Sequence, residues 1–427
     1  MDTIFALATA QGRAGVAVIR ISGSEAFEVA QALCGSLPGG REPALRHLRS
    51  SGGVVLDHAL ILKFDGPASF TGEDTVEFHL HGSVAVVAAV LQTLGAGTAR
   101  MAEPGEFTRR ALENNKMDLA QVEGLADLIE AETEAQRQQA LRGMSGDLST
   151  RIEEWRSKLI RAAALIEATI DFADEDVPVD VTPEVRDLLG QVRRDVAEQL
   201  KGFSAAERIR TGFEVAIVGP PNAGKSTLLN ALARREAAIT SQIAGTTRDV
   251  IEVRMDIAGL PVTLLDTAGL RDGQDEIEAQ GIERAIARAR DADLRIFLQE
   301  PGTSLPISPL DGDIILAPKA DERSDDAPAV SGKTAQGIAK LVSDLEMHLL
   351  QRTAAAGLIT HERHRQAMSQ SLSNLDAAID RVGSGPALYD IAAEEIRTAI
   401  RSLEVVVGRV DVENLLDEIF ASFCLGK

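Results

Sequence analysis

The stretch Gly219–Ser226, GPPNAGKS, fits G-x-x-x-x-G-K-[ST] between a strand-like run, EVAIVG, and a helical one, STLLNALARR. In that context the pattern means phosphate binding. Glycines let backbone N–H groups approach the phosphate oxygens, and the helix N-terminus adds the positive end of its dipole. Lys225 is placed to reach the β and γ phosphates, and the Ser226 hydroxyl to ligate Mg²⁺. Asn222, inside the same loop, offers a side chain for a monovalent cation beside the phosphates, in place of an arginine finger.

Further elements follow in the order a GTPase needs. AGTTRD (244–249) supplies Thr247 as a second Mg²⁺ hydroxyl ligand, and DTAG (266–269) supplies Asp266 for the metal shell and the Gly269 N–H for the γ-phosphate. In PKAD (318–321) the Asp321 carboxylate accepts from the guanine ring N–H and amino group, which adenine cannot offer. SGK (331–333) presents backbone N–H groups to the guanine carbonyl. One position departs: Leu270 stands where Ras-like GTPases carry the Gln that orients the attacking water. Water must be positioned from elsewhere, and the acidic stretch RDGQDEIE (271–278) lies just downstream.

These loops need a sheet to hold them. From about Thr211 to Leu350 strands and helices alternate, with VTLL, LRIFL and DIILA as buried strand runs. Ahead of this unit, residues 1 to about 116 mix strands (GVAVIRIS, HALILKF, TVEFHLHG) with a buried helix, VAVVAAVLQTLGA. Between them Leu141, Met144, Leu148, Ile152, Trp155, Leu159, Ile166 and Ile170 form one apolar stripe on a long helix. Pro178 and Pro183 interrupt it, and Val185, Leu188, Val192, Val196 and Leu200 resume it. Helical patterns return after Leu350, so a helical domain with another domain inserted in it is expected.

Composition narrows the setting. Two cysteines, Cys34 and Cys424, build no disulfide framework and fit a reducing compartment. The N-terminus has no basic segment before an apolar core, and no run approaches the ~20 apolar residues of a bilayer span. A cytoplasmic protein with no membrane partner is expected. The net charge of −21 argues against broad, sequence-independent nucleic-acid binding, though not against a local basic patch.

With these residues in view, the whole chain resembles the MnmE (TrmE) family of tRNA modification GTPases. The resemblance runs from DTIFALATAQGRAGVAVIRISG through SFTGEDTVEFHLHG and PGEFTRRALENNKMDLAQVE to the terminal FCLGK. It implies a fold of α/β plus α class: an N-terminal α+β folate-binding and dimerisation domain (1–116), a discontinuous helical domain (117–210 and 353–427) and an inserted P-loop GTPase domain with a mostly parallel, doubly wound sheet (211–352). It also implies a homodimer in which Arg20, Glu77, Lys116 and the terminal Lys427 contact a 5,10-methylene- or 5-formyl-tetrahydrofolate. Around GTP it lays Asn222, Ala223, Gly224, Lys225, Ser226 and Thr227, then Ser241, Gln242, Ile243, Ala244, Gly245, Thr246 and Thr247. Asp266, Thr267, Ala268, Gly269, Lys319, Asp321, Ser331, Gly332 and Lys333 complete the nucleotide set. Mg²⁺ falls to Ser226 and Thr247, K⁺ to Asn222, Ser241, Ile243 and Thr246, and the water-positioning carboxylate to Glu278.

The terminal FCLGK is a poor prenylation box, because Gly426 is not aliphatic and no polybasic stretch precedes it. The resemblance instead implies that Cys424 and Lys427 belong to a folate-side active site. With a flavin-dependent MnmG-type partner in a heterotetramer, the family installs an aminomethyl or carboxymethylaminomethyl group on the wobble uridine of tRNA. A regulatory GTPase switch or ribosome-assembly GTPase without a modification role is the alternative reading. Two departures stand out. The family's N-K-x-D is Pro318-Lys319-Ala320-Asp321, so the Asn that braces the base loop is absent. The segment between LRIFL and DIILA, QEPGTSLPISPLDG, is too short and Pro-rich for the usual helix. Restoring Asn at 318 is expected to tighten GDP binding, unless the shortened segment has already reshaped the base pocket.

Overall fold

A computed structural model describes residues 2–171, 180–235, 251–266, 286–300, 302–303, 305, 307–325, 327–410, 416, 419–420, 423 and 426. The chain divides into two compact units, one of residues 1–126 and 404–427, the other of residues 127–403.

The first unit is built on β1 (Ile4–Leu7), β2 (Val16–Ser22), β3 (Ala44–Arg49), β4 (Val55–Phe64), β5 (Thr75–His81) and β6 (Arg100–Met101). Their order is β3-β4-β5-β2-β1-β6, antiparallel except for β1 beside β6. Alternation decides the two faces. Ile19 and Ile21 of β2, Ala59 and Ile61 of β4, and Val76, Phe78 and Leu80 of β5 share a core with α1 (Ala26–Cys34) and α2 (Val84–Gly95). Arg20 and Glu77 lie between these core positions and so point to the opposite face. There α3 (Glu106–Glu113) packs Phe107 against Ile4, Ala6 and Ala102, with Phe70 beside it. The C-terminal segment closes this unit, where Phe420 and Phe423 pack on Val122 of α4 (Leu119–Glu130).

In the second unit the apolar stripe is divided between two helices, α5 (Glu134–Ser145) and α6 (Asp147–Asp171). Gly146 ends α5 at φ 85°, a left-handed conformation that glycine adopts without Cβ strain. The expectation of one long helix is corrected there. Leu148, Ile152, Trp155, Leu159 and Ile166 are buried along α6. Pro183 falls in the first turn of α7 (Thr182–Thr211), where its missing N–H costs nothing. Leu189, rather than Leu188, joins Val185, Val192 and Val196 in the core. Helices α9 (Ile338–Thr353), α10 (Glu362–Gly383) and α11 (Tyr389–Val406) follow the inserted sheet, and α8 (Lys225–Arg235) lies within it.

That sheet comprises β7 (Phe213–Val218), β8 (Ile251–Ile257), β9 (Leu260–Asp266), β10 (Leu294–Leu298), β11 (Ile314–Pro318) and β12 (Ala329–Val330). Its order is β12-β11-β10-β7-β9-β8, with every pair parallel except β8–β9. Both faces are covered. Val215 and Ile217 of β7 pack with Leu228 and Leu232 of α8 and with Leu341 and Leu345 of α9. Ala216 and Val218 pack on the other side with Ala289, Ala292 and Ile307. Ile307 explains the missing helix: none of the described residues of 299–313 is helical, yet the segment lays Ile307 and Leu305 over that face. The segment is anchored by a buried ion pair, Arg295 Nε to Asp313 Oδ1 at 3.0 Å.

Candidate functional site

The phosphate loop forms where β7 ends and α8 begins, at the carboxyl edge of the parallel sheet, the usual position for ligands in such folds. Asn222 at φ 61° and Gly224 at φ 86° give the loop two left-handed residues, the kind of backbone from which anion-binding turns are built. Gly219 must be glycine for a separate reason: a Cβ there would lie 2.7 Å from the Leu298 carbonyl oxygen. Lys225 is buried, and its Nζ donates to the Gly219 and Pro220 carbonyls at 2.8 and 3.0 Å. Burial pushes its ammonium below the ordinary lysine range, opposed by the Asp266 carboxylate. Asp266, the last residue of β9, accepts from the Ser226 hydroxyl at 2.5 Å. A hydroxyl and a carboxylate oxygen side by side are the hard donors Mg²⁺ requires, so these residues fit that ion.

The base half is assembled from the ends of two other strands. A cleft of about 270 Å³ is lined by Asn222, Ala223, Gly224, Thr227, Leu298, Lys319, Asp321, Ser331, Gly332 and Lys333, among others. Lys319 turns left-handed at φ 54° after β11, which sets Asp321 at the mouth of the cleft. A hydrogen bond from the Ser331 hydroxyl holds the Asp321 carboxyl below its usual value, and the Lys333 and Lys319 charges add to this. Asp321 therefore stays an anionic acceptor near neutral pH. Pro318, the departure from the family pattern, is the last residue of β11, opposite Val330 of β12. The registered pairing of β10 with β11 ends at Leu316, after which the proline has no N–H to continue the ladder.

In the first unit Arg20 and Glu77 are direct cross-strand partners. The Arg20 Nε donates to Glu77 Oε1 at 3.0 Å and a second guanidinium nitrogen approaches the same oxygen at 2.9 Å. The guanidinium lies 5.0 Å from the Phe70 ring centroid and 5.7 Å from that of Phe107. Lys116 is exposed and donates to the Pro67 carbonyl at 2.8 Å, while its stem packs beside Gly72. The loop from 67 to 74 thus touches both Lys116 and Arg20. Sequence reasoning passed over what fastens this loop. Glu73 accepts from the Ser22 hydroxyl at 2.9 Å and from the buried Arg110 at 3.1 Å. Arg110 also meets Asp2 and Glu106, each at 3.0 Å. Its only sequence signal is an arginine on the apolar side of a short helix.

Several expected residues lie outside the described ones: Ser241, Gln242, Ile243, Ala244, Gly245, Thr246, Thr247, Thr267, Ala268, Gly269, Glu278, Cys424 and Lys427. Within the terminal motif Gly426 is described. It is buried at φ 92°, and a Cβ on it would lie 2.0 Å from the Leu7 carbonyl oxygen. Leu7 follows Ala6, which is registered opposite Arg20.

A family model described as the MnmE helical domain matches residues 119–424, and one described as the GTP-binding protein TrmE N-terminus matches residues 3–116. The chain is 64% identical to the tRNA modification GTPase MnmE of Roseobacter denitrificans over 428 aligned positions, spanning the whole of both chains. Identity to the protein of the same name from Ruegeria pomeroyi is 61%, again over both full lengths. With its phosphate loop, doubly wound sheet and these full-length relatives, the chain belongs to the MnmE (TrmE) family of tRNA modification GTPases.

Proposed function

We propose that the chain, as a cytoplasmic homodimer joined to a flavin-dependent MnmG-type partner, couples GTP hydrolysis to formation of 5-aminomethyl- and 5-carboxymethylaminomethyluridine at the tRNA wobble position. When bound, a 5,10-methylene- or 5-formyl-tetrahydrofolate supplies the one-carbon unit. Lys225 and the loop N–H groups hold the phosphates, and Ser226, Thr247 and Asp266 hold Mg²⁺ and its shell. Asn222, Ser241, Ile243 and Thr246 hold K⁺, and Glu278 orients water in place of the side chain missing at Leu270. The terminal Cys424 and Lys427 act beside the folate.

The observation that carries the folate half is the Arg20–Glu77 pair on the sheet face away from α1 and α2. A carboxylate there can accept from a pterin amino edge, and the half-buried Phe70 supplies flat apolar surface beside it. Lys116, on the adjoining loop, suits a glutamate tail. Packing of Gly426 on Leu7 supports a role for the chain terminus next to the same strand pair. Calorimetric titration with 5-formyl-tetrahydrofolate tests this reading. Binding by the wild type that is lost in Glu77→Ala is expected; equal binding by both would contradict it.

A further inference from the structure

We infer that the hairpin of β8 and β9 is a strut that carries the state of the nucleotide site to the helical domain, through the seat of its tip on the first turn of α5. The inference rests on the coupling of hydrolysis to modification proposed above.

Both open ends of the hairpin lead to the Mg²⁺ side of the phosphate site. β9 ends at Asp266, which accepts from the Ser226 hydroxyl, and β8 begins shortly after Thr247 in the chain. From there to the tip the pairing runs in unbroken register, Ile251 with Asp266 through Ile257 with Leu260. Strands of this length span about 20 Å. β8 is the last strand of the sheet, so the hairpin is held along one side only. Its tip is stiff. Ala258 and Gly259, at φ 54° and 80°, are the left-handed pair that a two-residue hairpin turn requires, and Asp256 Oδ1 accepts from the Gly259 N–H at 2.7 Å.

The tip meets α5 through the backbone. The Ala135 N–H, which as a first-turn donor has no partner within its own helix, donates to the Gly259 carbonyl at 3.0 Å. Ala135 also packs against the core cluster that holds Ile257 and Leu260, and Arg254 of β8 meets Glu132 at 3.3 Å. Gln136 then fastens the start of α5 to the end of α7, donating to the Arg210 carbonyl at 2.9 Å. Arg210 in turn donates to the Thr360 carbonyl at 3.0 Å, just ahead of α10. The tip therefore bears on the joint of α5, α7 and α10. A cleft of about 640 Å³ beside it, lined by Glu130, Glu132, Gln139, Arg210 and Arg254 among others, gives the hairpin room to shift. Ligands drawn toward a γ-phosphate at the open ends move the tip, and the tip moves α5.

Hydrogen exchange of the full-length wild type, bound to Mg²⁺ with GDP or with a non-hydrolysable GTP analogue, tests this without any variant. Exchange in the first turn of α5 should differ by at least about fivefold between the two states, the lower end of ordinary coupling between sites. Equal exchange would overturn the strut. Ala135→Pro removes the donor to Gly259 and little else, since a proline is tolerated in a first turn, as Pro183 is in α7. It should keep GTP hydrolysis within about twofold of wild type while lowering wobble-uridine modification in a complemented deletion strain by at least about fivefold. Modification at the wild-type level, or hydrolysis falling in parallel, would overturn the inference. Exchange that responds to the nucleotide while the wild type restores no modified nucleoside would support the strut and overturn the modification reading beneath it.

Discussion

The two sheets carry their polar residues in different ways. In the parallel sheet the nucleotide residues stand on loops or strand ends at one edge: Gly219 after β7, Asp266 ending β9, Asp321 after β11, Ser331 after β12. In the antiparallel sheet Arg20 and Glu77 sit mid-strand, opposite one another, and project from a face. A loop site is contiguous, so its chemistry is written in consecutive letters such as GPPNAGKS. A face site exists only once two strands have paired in register, and slipping either by one residue turns its side chain into the core.

The comparison predicts that the face site depends on distant packing far more than the loop site does. The largest effect should come from Arg110, whose side chain is 4% exposed and bonded to Asp2, Glu73 and Glu106. Arg110→Ala leaves three carboxylates without their common partner and should cost about 3–5 kcal/mol of stability. Denaturant unfolding of the full-length protein measures this. A loss below about 1 kcal/mol would mean that the loop carrying Phe70 is held by other contacts.

The loop site should fail through single groups instead. Glu278→Ala is expected to slow GTP hydrolysis by on the order of 10²-fold or more while leaving GTP binding intact, the usual cost of one lost polarising group. A variant that keeps more than about half the rate would assign the water to another residue of RDGQDEIE.

The smallest effect is a pH dependence in the first unit. Burial pushes the Glu106 carboxyl up, but bonds from Arg100, the Glu103 N–H and Arg110 outweigh it, so its pKa lies below the ordinary 4.5. A depressed carboxylate stabilises the fold fully above its unfolded pKa, and the contribution disappears as pH falls through the folded value. The stability gap between wild type and Glu106→Gln should therefore be constant from pH 7 to 5 and close only below 4.5. A gap that closes above pH 5 would contradict the assignment.

These contrasts explain what could be read in advance. The phosphate loop, the strand β7 and the helix α8 were legible because one short window carries strand, turn and helix signals together. The break at Gly146 was not, because the apolar spacing continues across it and a lone glycine carries little weight against an unbroken stripe. That the described residues between β10 and β11 form no helix was legible from length and proline content, but that Ile307 would cover the sheet was not. Arg20 and Glu77 were named only through family resemblance, since their partnership is a fact of register. Arg110 stayed hidden for the same reason, as its contacts reach residues far away in the chain.

The central claim is that the loop site and the face site serve one reaction on tRNA. Mass spectrometry of wobble-position nucleosides tests it directly, using a strain lacking this protein and complemented by wild type, Lys225→Ala or Arg20→Ala. Wild type should restore the 5-aminomethyl- and 5-carboxymethylaminomethyluridines. Neither variant should, even though purified Arg20→Ala still hydrolyses GTP. Full restoration by Arg20→Ala, or an unchanged nucleoside profile in the deletion strain, would contradict the account.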